Sequence, residues 1–322
     1  MKAPGAVAQV AEHQHKLAAA ALTPAGVPGR HHRSLLRRHG LAYLMLLPAL
    51  LVIGGLVFYP LVLSVWDSLH VDNLLIPSHS FTGVSNYTGV LTDSSFLHAA
   101  LNTLWYLILT TALSLVVGTA MAMFLHNVKH LRAIMLAIIV LPWAVPGTVS
   151  GDLWSLIFNP QTGLLDGLLV GLHIVSHPIL WMAGNVTARI AISITLVWQV
   201  APITAIIVLA GLESIPPTLF EQAAVDGAVG HRRFMRITLP LLRPALAIGL
   251  LEATVLGIGA FDQIVVLNGY SPGTLSAVEQ LYLYAFQDFN FGYGIAASMV
   301  VTVATLLVSV FYLRGLYREV SY

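Results

Sequence analysis

Two carboxylates stand where carboxylates are expensive. Glu252 and Asp262 fall within an apolar run from Pro244 to about Leu267. A charge inside such a run costs a few kcal/mol in a membrane and marks a functional position by default. Asp262 is flanked by Phe261 and Gln263. Aromatic rings stack on sugar faces and acids accept hydrogen bonds from hydroxyls, so this triplet suits a hydroxyl-rich ligand. The competing reading gives Asp262 a backbone N–H or helix-end partner within the protein. On one continuous helix the ten positions from Glu252 to Asp262 subtend about 280°. The two acids then occupy different faces, and Glu252 is expected to pair within the helical assembly or with a second membrane subunit.

Reaction chemistry is otherwise scarce. The chain has no Gly-x-x-x-x-Gly-Lys-Ser/Thr loop and no His-Glu-x-x-His, so no phosphate cradle or zinc site is indicated. No catalytic residue, metal ligand or cofactor is expected on this chain. It contains no cysteine, which removes disulfides and thiolate metal sites. His13, His15, His31 and His32 are irregularly spaced among Ala, Gly and Pro and read as part of a solvated tail over residues 1–40.

The composition is 57% hydrophobic and 9% charged, against about a quarter charged in soluble domains. The fold class is therefore an all-α polytopic membrane protein, with residues 41–322 as its membrane domain. A spanning helix needs about 20 mostly apolar residues. Six runs qualify: Leu41 to Trp66, Ala99 to Leu125, Ala133 to Phe158, Ile190 to Leu212, Pro244 to about Leu267, and Phe289 to Leu313. The first is too long for a signal peptide and stays as an anchor. Of 15 Lys and Arg, only Arg189 falls on one side of this arrangement, where Asp67, Asp72, Asp93, Asp166, Glu279 and Asp288 gather. Basic loops stay cytoplasmic, so both termini are expected inside.

Between the fourth and fifth runs lies a polar, basic island from Ile215 to about Arg243. Pro216 and Pro217 suit a helix start. Thr218 to Asp226 reads as a short helix ended by Gly227, which tolerates positive φ. A second short helix, about Gly230 to Leu239, is expected to stop at Pro240. Ala223, Ala224, Gly227 and Ala228 make a smooth patch beside Glu221 and Asp226. That pattern fits a docking helix for a soluble partner, or an interfacial helix whose arginines rest near headgroups.

Glu221, Ala223, Ala224, Asp226, Gly227, Ile237, Leu239 and Pro240 resemble the cytoplasmic EAA loop of ABC importer permeases, at the family's spacing. Tyr59-Pro60, Asn86-Tyr87, Asn102-Thr103, Asn159-Pro160, Ala210-Gly211-Leu212 and Ala296-Ala297-Ser298 extend the likeness to the carbohydrate importers over about residues 41 to 316. Asn268 to Gly273 departs from the family's Thr-x-Gly-Gly-Pro turn. The resemblance implies an inner-membrane permease that couples through the EAA loop to two ATPase subunits, which hold the ATP and Mg. It further implies a second permease and an extracytoplasmic binding protein. It places Trp198 and Gln199 on the substrate pathway, the alternative being that Trp198 only packs, and with Phe261, Asp262 and Gln263 these make up the candidate pathway residues. The solute it implies is a sugar, with glycerol phosphate esters as the alternative; an ion-coupled secondary transporter would show inverted repeats, and none is seen.

Overall fold

A computed structural model describes residues 35–75, 79–128 and 130–316; most of the expected tail, Lys129 and Arg318 lie outside them. The chain divides into two units, Met1–Pro60 and Leu61–Tyr322.

In the first unit, α1 (Leu35–Ile53) passes into a π-helical turn, Gly54–Phe58, after which Tyr59 donates its N–H to Gly54 O. Pro60 follows at once. A proline ring inside an α-helix collides with the carbonyl four residues back, and one wide turn just before it opens that spacing.

The second unit opens with the remainder of α2 (Tyr59–Ser68), then α3 (Ser85–Thr92) and α4 (Ser94–Asn127). Asp93 caps α4, its Oδ1 accepting from Ser95 N at 2.8 Å. The 34 residues of α4 reach roughly 51 Å, well beyond a hydrocarbon core of about 30 Å, so its ends project on both sides. Next come α5 (Arg132–Ala144), α6 (Gly147–Ile157), α7 (Leu164–Gly171) and α8 (Asn185–Glu213). The polar island folds as α9 (Pro217–Val225) and α10 (Gly230–Leu241). The chain ends with α11 (Arg243–Ile258), α12 (Asp262–Asn268), α13 (Ala277–Tyr282) and α14 (Phe291–Leu316).

The core is the close packing of α4 against α8 and α11. A Cβ on Gly118 of α4 would sit 3.0 Å from Ala201 O and 2.9 Å from Thr204 Cβ of α8; one on Gly249 of α11 would sit 3.2 Å from Thr204 Cγ2. Lipid tails are as apolar as side chains, so membrane helices associate where small residues let backbones approach. Two apolar clusters flank this seam: Tyr106, Phe158, Ile192, Leu196 and Ile264 in one half, and Leu125, Val208, Leu212, Ile215 and Leu242 in the other.

Among the described residues four helices are long and apolar enough to cross a membrane, and up to six spans result if two bent pairs each count as one. The bends correct three expectations. The third run breaks by 98° between α5 and α6, because Pro146 biases Val145 away from α geometry, and Val145 sits at φ −76°, ψ 128°. The fifth run is also discontinuous: α11 ends at Ile258, Phe261 departs from helical geometry at φ −136°, ψ −64°, and Asp262 opens α12. Glu252 and Asp262 therefore do not share a helix. Finally, Pro240 does not stop α10. A π-helical turn at Phe234–Thr238 precedes it, Leu239 N–H reaching Phe234 O, the same device as at Pro60. The chain instead turns by 71° between Leu241 and Arg243.

Candidate translocation and coupling sites

The two helix breaks face each other. Gly147 at the start of α6 lies so close to the start of α12 that a Cβ there would be 2.8 Å from Asp262 Oδ2 and 3.2 Å from Gln263 Nε2. One turn on, a Cβ on Gly151 would be 2.7 Å from Val266 Cβ. Only glycine permits this approach. Breaking a helix frees a carbonyl, and Val145 O finds its donor in Gln199 of α8, whose Nε2 lies 2.7 Å away. The Gln199 Oε1 in turn accepts from Gln263 Nε2. One glutamine thus ties together the α5–α6 break, α8 and the start of α12. Irregular backbone at membrane depth is tolerated where it lines a cavity, and here a cavity of about 450 Å³ is lined by Trp143, Gly147, Gln199, Phe261, Asp262 and Gln263 among others.

Of the five pathway residues expected from sequence, four line this cavity. Trp198 does not: it stands about 100° round the helix from Gln199, and its ring meets Trp154 edge-on at 5.9 Å. Trp143, Val145 and Gly147 were missed by sequence reasoning. Pro146 was the signal that could have drawn attention to them. Glu252 is half-buried, and its Oε2 has no hydrogen-bond partner among the described residues.

The break at Ala260 is braced from outside. Ser276 Oγ donates to Ala260 O at 3.2 Å, and Ser276 and Glu279 form a reciprocal capping box at the start of α13. The loop before α13 is strapped to α4 by Asn102 Nδ2 on Leu275 O (3.0 Å), Tyr106 Oη on Thr274 O (2.8 Å) and Ala277 N on Thr103 Oγ1 (2.8 Å). In the divergent turn itself, a Cβ on Gly273 would run into Asn185. Burial pushes the Glu279 carboxyl up to about 7 against the hydrogen bonds from Ser276. Burial alone would also raise Asp93, but the hydrogen bonds it accepts from Tyr284 Oη (2.5 Å) and from Ser95 N hold it below its ordinary value.

At the other end, α9 closes with a Schellman motif. Ala228 N reaches Ala223 O at 2.8 Å, Gly227 N reaches Ala224 O at 3.1 Å, and Gly227 sits at φ +72°, as such a cap requires. The helix is two-sided. Ala223 is buried, and Leu219 and Phe220 pack on the cluster containing Leu212 and Leu242. Glu221, Ala224, Asp226 and Gly227 are exposed, and Val225 is 88% exposed. The Arg233 guanidinium lies 5.5 Å from the Phe220 ring centre, a cation–π contact that joins α10 to α9. Ile237, Leu239 and Pro240 are half-buried on α10, away from the exposed α9 surface. Arg132 pairs with Glu213, linking the start of α5 to the end of α8 at this same end.

Residues 114–318 match the family described as binding-protein-dependent transport system inner membrane component. The chain is 36% identical to the trehalose/maltose transport system permease protein MalF of Thermococcus litoralis over 287 residues, covering 88% of this chain and 96% of that one. It is 30% identical to the sulfoquinovosyl glycerol transport system permease protein SmoG of Agrobacterium fabrum, covering 85% and 89%. It is 28% identical to the trehalose transport system permease protein SugA of Mycobacterium tuberculosis, covering 85% and 88%. Its fold is similar to that in the crystal structure of a bacterial ABC transporter involved in import of the acidic polysaccharide alginate, with a TM-score of 0.72, 22% identity, and coverage of 87% of this chain and 96% of that one.

Proposed function

The chain belongs to the family of binding-protein-dependent transport system inner membrane components, and on that premise we propose that it translocates a neutral mono- or oligosaccharide. As a multi-pass permease component it is a non-catalytic membrane subunit. The observation that carries the substrate class is the cavity between the two helix breaks: Phe261 offers a stacking face, Asp262, Gln199 and Gln263 offer hydroxyl partners, and no Lys or Arg lines it. Anionic solutes are ordinarily gripped by such cations. The names of similar proteins that carry trehalose, maltose or sulfoquinovosyl glycerol support a glycosidic solute.

In this reading the permease pairs with a second one, and the exposed face of α9 docks on a cytoplasmic ATPase, where ATP and Mg bind. Both termini are cytoplasmic. A loaded binding protein docks at the opposite end, and ATP-driven closure of the ATPases switches the cavity between outward and inward access. Uptake by reconstituted vesicles containing the whole complex tests the substrate class. Neutral disaccharides are expected to be accumulated and glycerol-3-phosphate not; accumulation of the phosphate ester alone overturns the reading in favour of the ester importer.

A further inference from the structure

A second cavity, of about 480 Å³, lies at the Ser94 end of α4, lined by His98, Asn102, Asn185, Arg189, Tyr270 and Gln280 among others. Both cavities fall within the roughly 300–1,000 Å³ typical of small-molecule sites. Arg189 is held in place without being consumed. Its guanidinium lies 5.7 Å from the Trp105 ring centre, and only its Nε donates, to Asn185 O at 3.2 Å. Among the described residues no carboxylate pairs with it. Its two terminal amino groups remain as a planar fork of donors at the cavity wall. The Asn102 amide nitrogen is committed to Leu275 O and Pro272 O, so its oxygen remains an acceptor.

A chain of ring contacts through Tyr282 links the linings of the two cavities. Phe261 of the inner cavity lies 5.3 Å from Tyr282, and Tyr282 is stacked parallel to Tyr270 of the outer cavity, with 6.1 Å between ring centres and 4° between planes. Ring faces in series suit a pyranose passing from one to the next, because stacking is tolerant of which hydroxyls the sugar carries.

We infer that the outer cavity is a second saccharide subsite, in which Tyr270 stacks on a sugar ring and the Arg189 fork donates to adjacent hydroxyls. The assignment rests on the neutral-saccharide reading above. The outer subsite takes up a solute before the inner one, and the Tyr270–Tyr282–Phe261 series carries it inward.

The chain has no cysteine, so Ser94→Cys places a unique thiol on this chain at the outer cavity. In the permease–ATPase complex without binding protein, with the partner subunits' cysteines removed, maltose and trehalose are expected to slow maleimide labelling of that thiol. At a sugar concentration about ten times its Kd, mass action leaves roughly a tenth of sites open, so labelling slows about tenfold. Protection is expected to disappear with Tyr270→Ala and with Arg189→Gln, to weaken with Arg189→Lys, which keeps the charge but loses the fork, and to persist with Gln263→Ala. Unchanged labelling without sugar shows that each variant is folded. Protection that survives both outer variants, or that Gln263→Ala alone removes, overturns the subsite. So does protection produced only by the binding protein, loaded or empty, which makes the cavity a docking contact. Normal neutral-sugar uptake without protection overturns the subsite and leaves the substrate reading standing, whereas failure of neutral-sugar uptake overturns both.

Discussion

Gln263 at the start of α12 donates its side-chain amide to the side-chain oxygen of Gln199 in the middle of α8. Gln199 spends its own amide on the carbonyl that the α5–α6 break leaves without a helical donor, Val145 O. A single side chain therefore joins three elements around the inner cavity. It also fixes which amide groups face the cavity.

Truncating Gln199 removes more than a lining group. With Gln199→Ala, Val145 O loses its donor, and a buried polar group left unpaired costs about 1–3 kcal/mol. Gln263→Ala leaves the Val145 bond in place. Gln199→Ala is accordingly expected to lower both thermal stability and uptake, and Gln263→Ala to raise the half-saturating solute concentration with little change in melting temperature. Thermal unfolding in detergent alongside vesicle uptake separates the two. Equal melting losses in both variants would refute this division of roles.

The membrane class, the positions of six apolar runs and the α9 loop were legible in sequence because each rests on a local signal: run length, basic bias, and a glycine that ends a helix at φ +72°. The breaks were not. In the third run both Pro142 and Pro146 interrupt the apolar stretch, yet the helix continues through Pro142 and breaks only before Pro146, so proline position alone does not say where the run bends. In the fifth, no proline marks Gly259 to Phe261, and the buried Ala260 carbonyl, left without a helical donor, is satisfied from 16 residues along the chain by Ser276. Such a bond has no sequence period. The same holds for Gly147, whose role shows only once Asp262 is seen beside it.

Sidedness follows from the division of charges. Reporter fusions are expected to place Lys129, Arg233 and both termini on the cytoplasmic side, and Asp93, Asp166 and Glu279 outside, in keeping with the retention of basic loops. An external Arg233 would end the proposal that α9 meets an ATPase.

The buried capping box gives the loop before α13 a pH dependence. Burial lifts the Glu279 carboxyl from its ordinary value to about 7, so the folded loop favours the protonated form. A carboxyl raised on folding contributes stability that is complete below its unfolded value of about 4.5 and is lost as pH rises through about 7. Amide exchange across residues 274–280 is therefore expected to accelerate between pH 5 and pH 8 beyond its intrinsic base catalysis. Glu279→Gln should remove that excess, and an unchanged excess in this variant would show that another group is responsible.

The coupling proposal is carried by the two-sided build of α9. Its inner side is fixed through Leu219, Phe220 and Ala223, whereas Glu221, Ala224 and Asp226 are exposed. Nothing lies within 4 Å of a Cβ built on Gly227, so Gly227→Val acts through backbone strain. At φ +72° a β-branched residue is a genuine outlier, and the Schellman cap must open. Glu221→Lys reverses a charge on an exposed surface, where it disturbs folding little. Both variants are expected to insert normally and to bind the binding protein, yet to lose solute-stimulated ATP hydrolysis and uptake; Glu221→Lys should also lose copurification of the ATPase. Substituting Arg232 and Arg236 with Gln should leave coupling largely intact, while Arg233→Gln, which removes the contact with Phe220, should weaken it in part. A helix that merely rests on headgroups gives the reverse order, because its affinity comes from the arginines. Stimulated turnover and ATPase copurification in reconstituted vesicles decide between them: full coupling in Gly227→Val and Glu221→Lys, with loss across all three arginine variants, would sink the docking proposal.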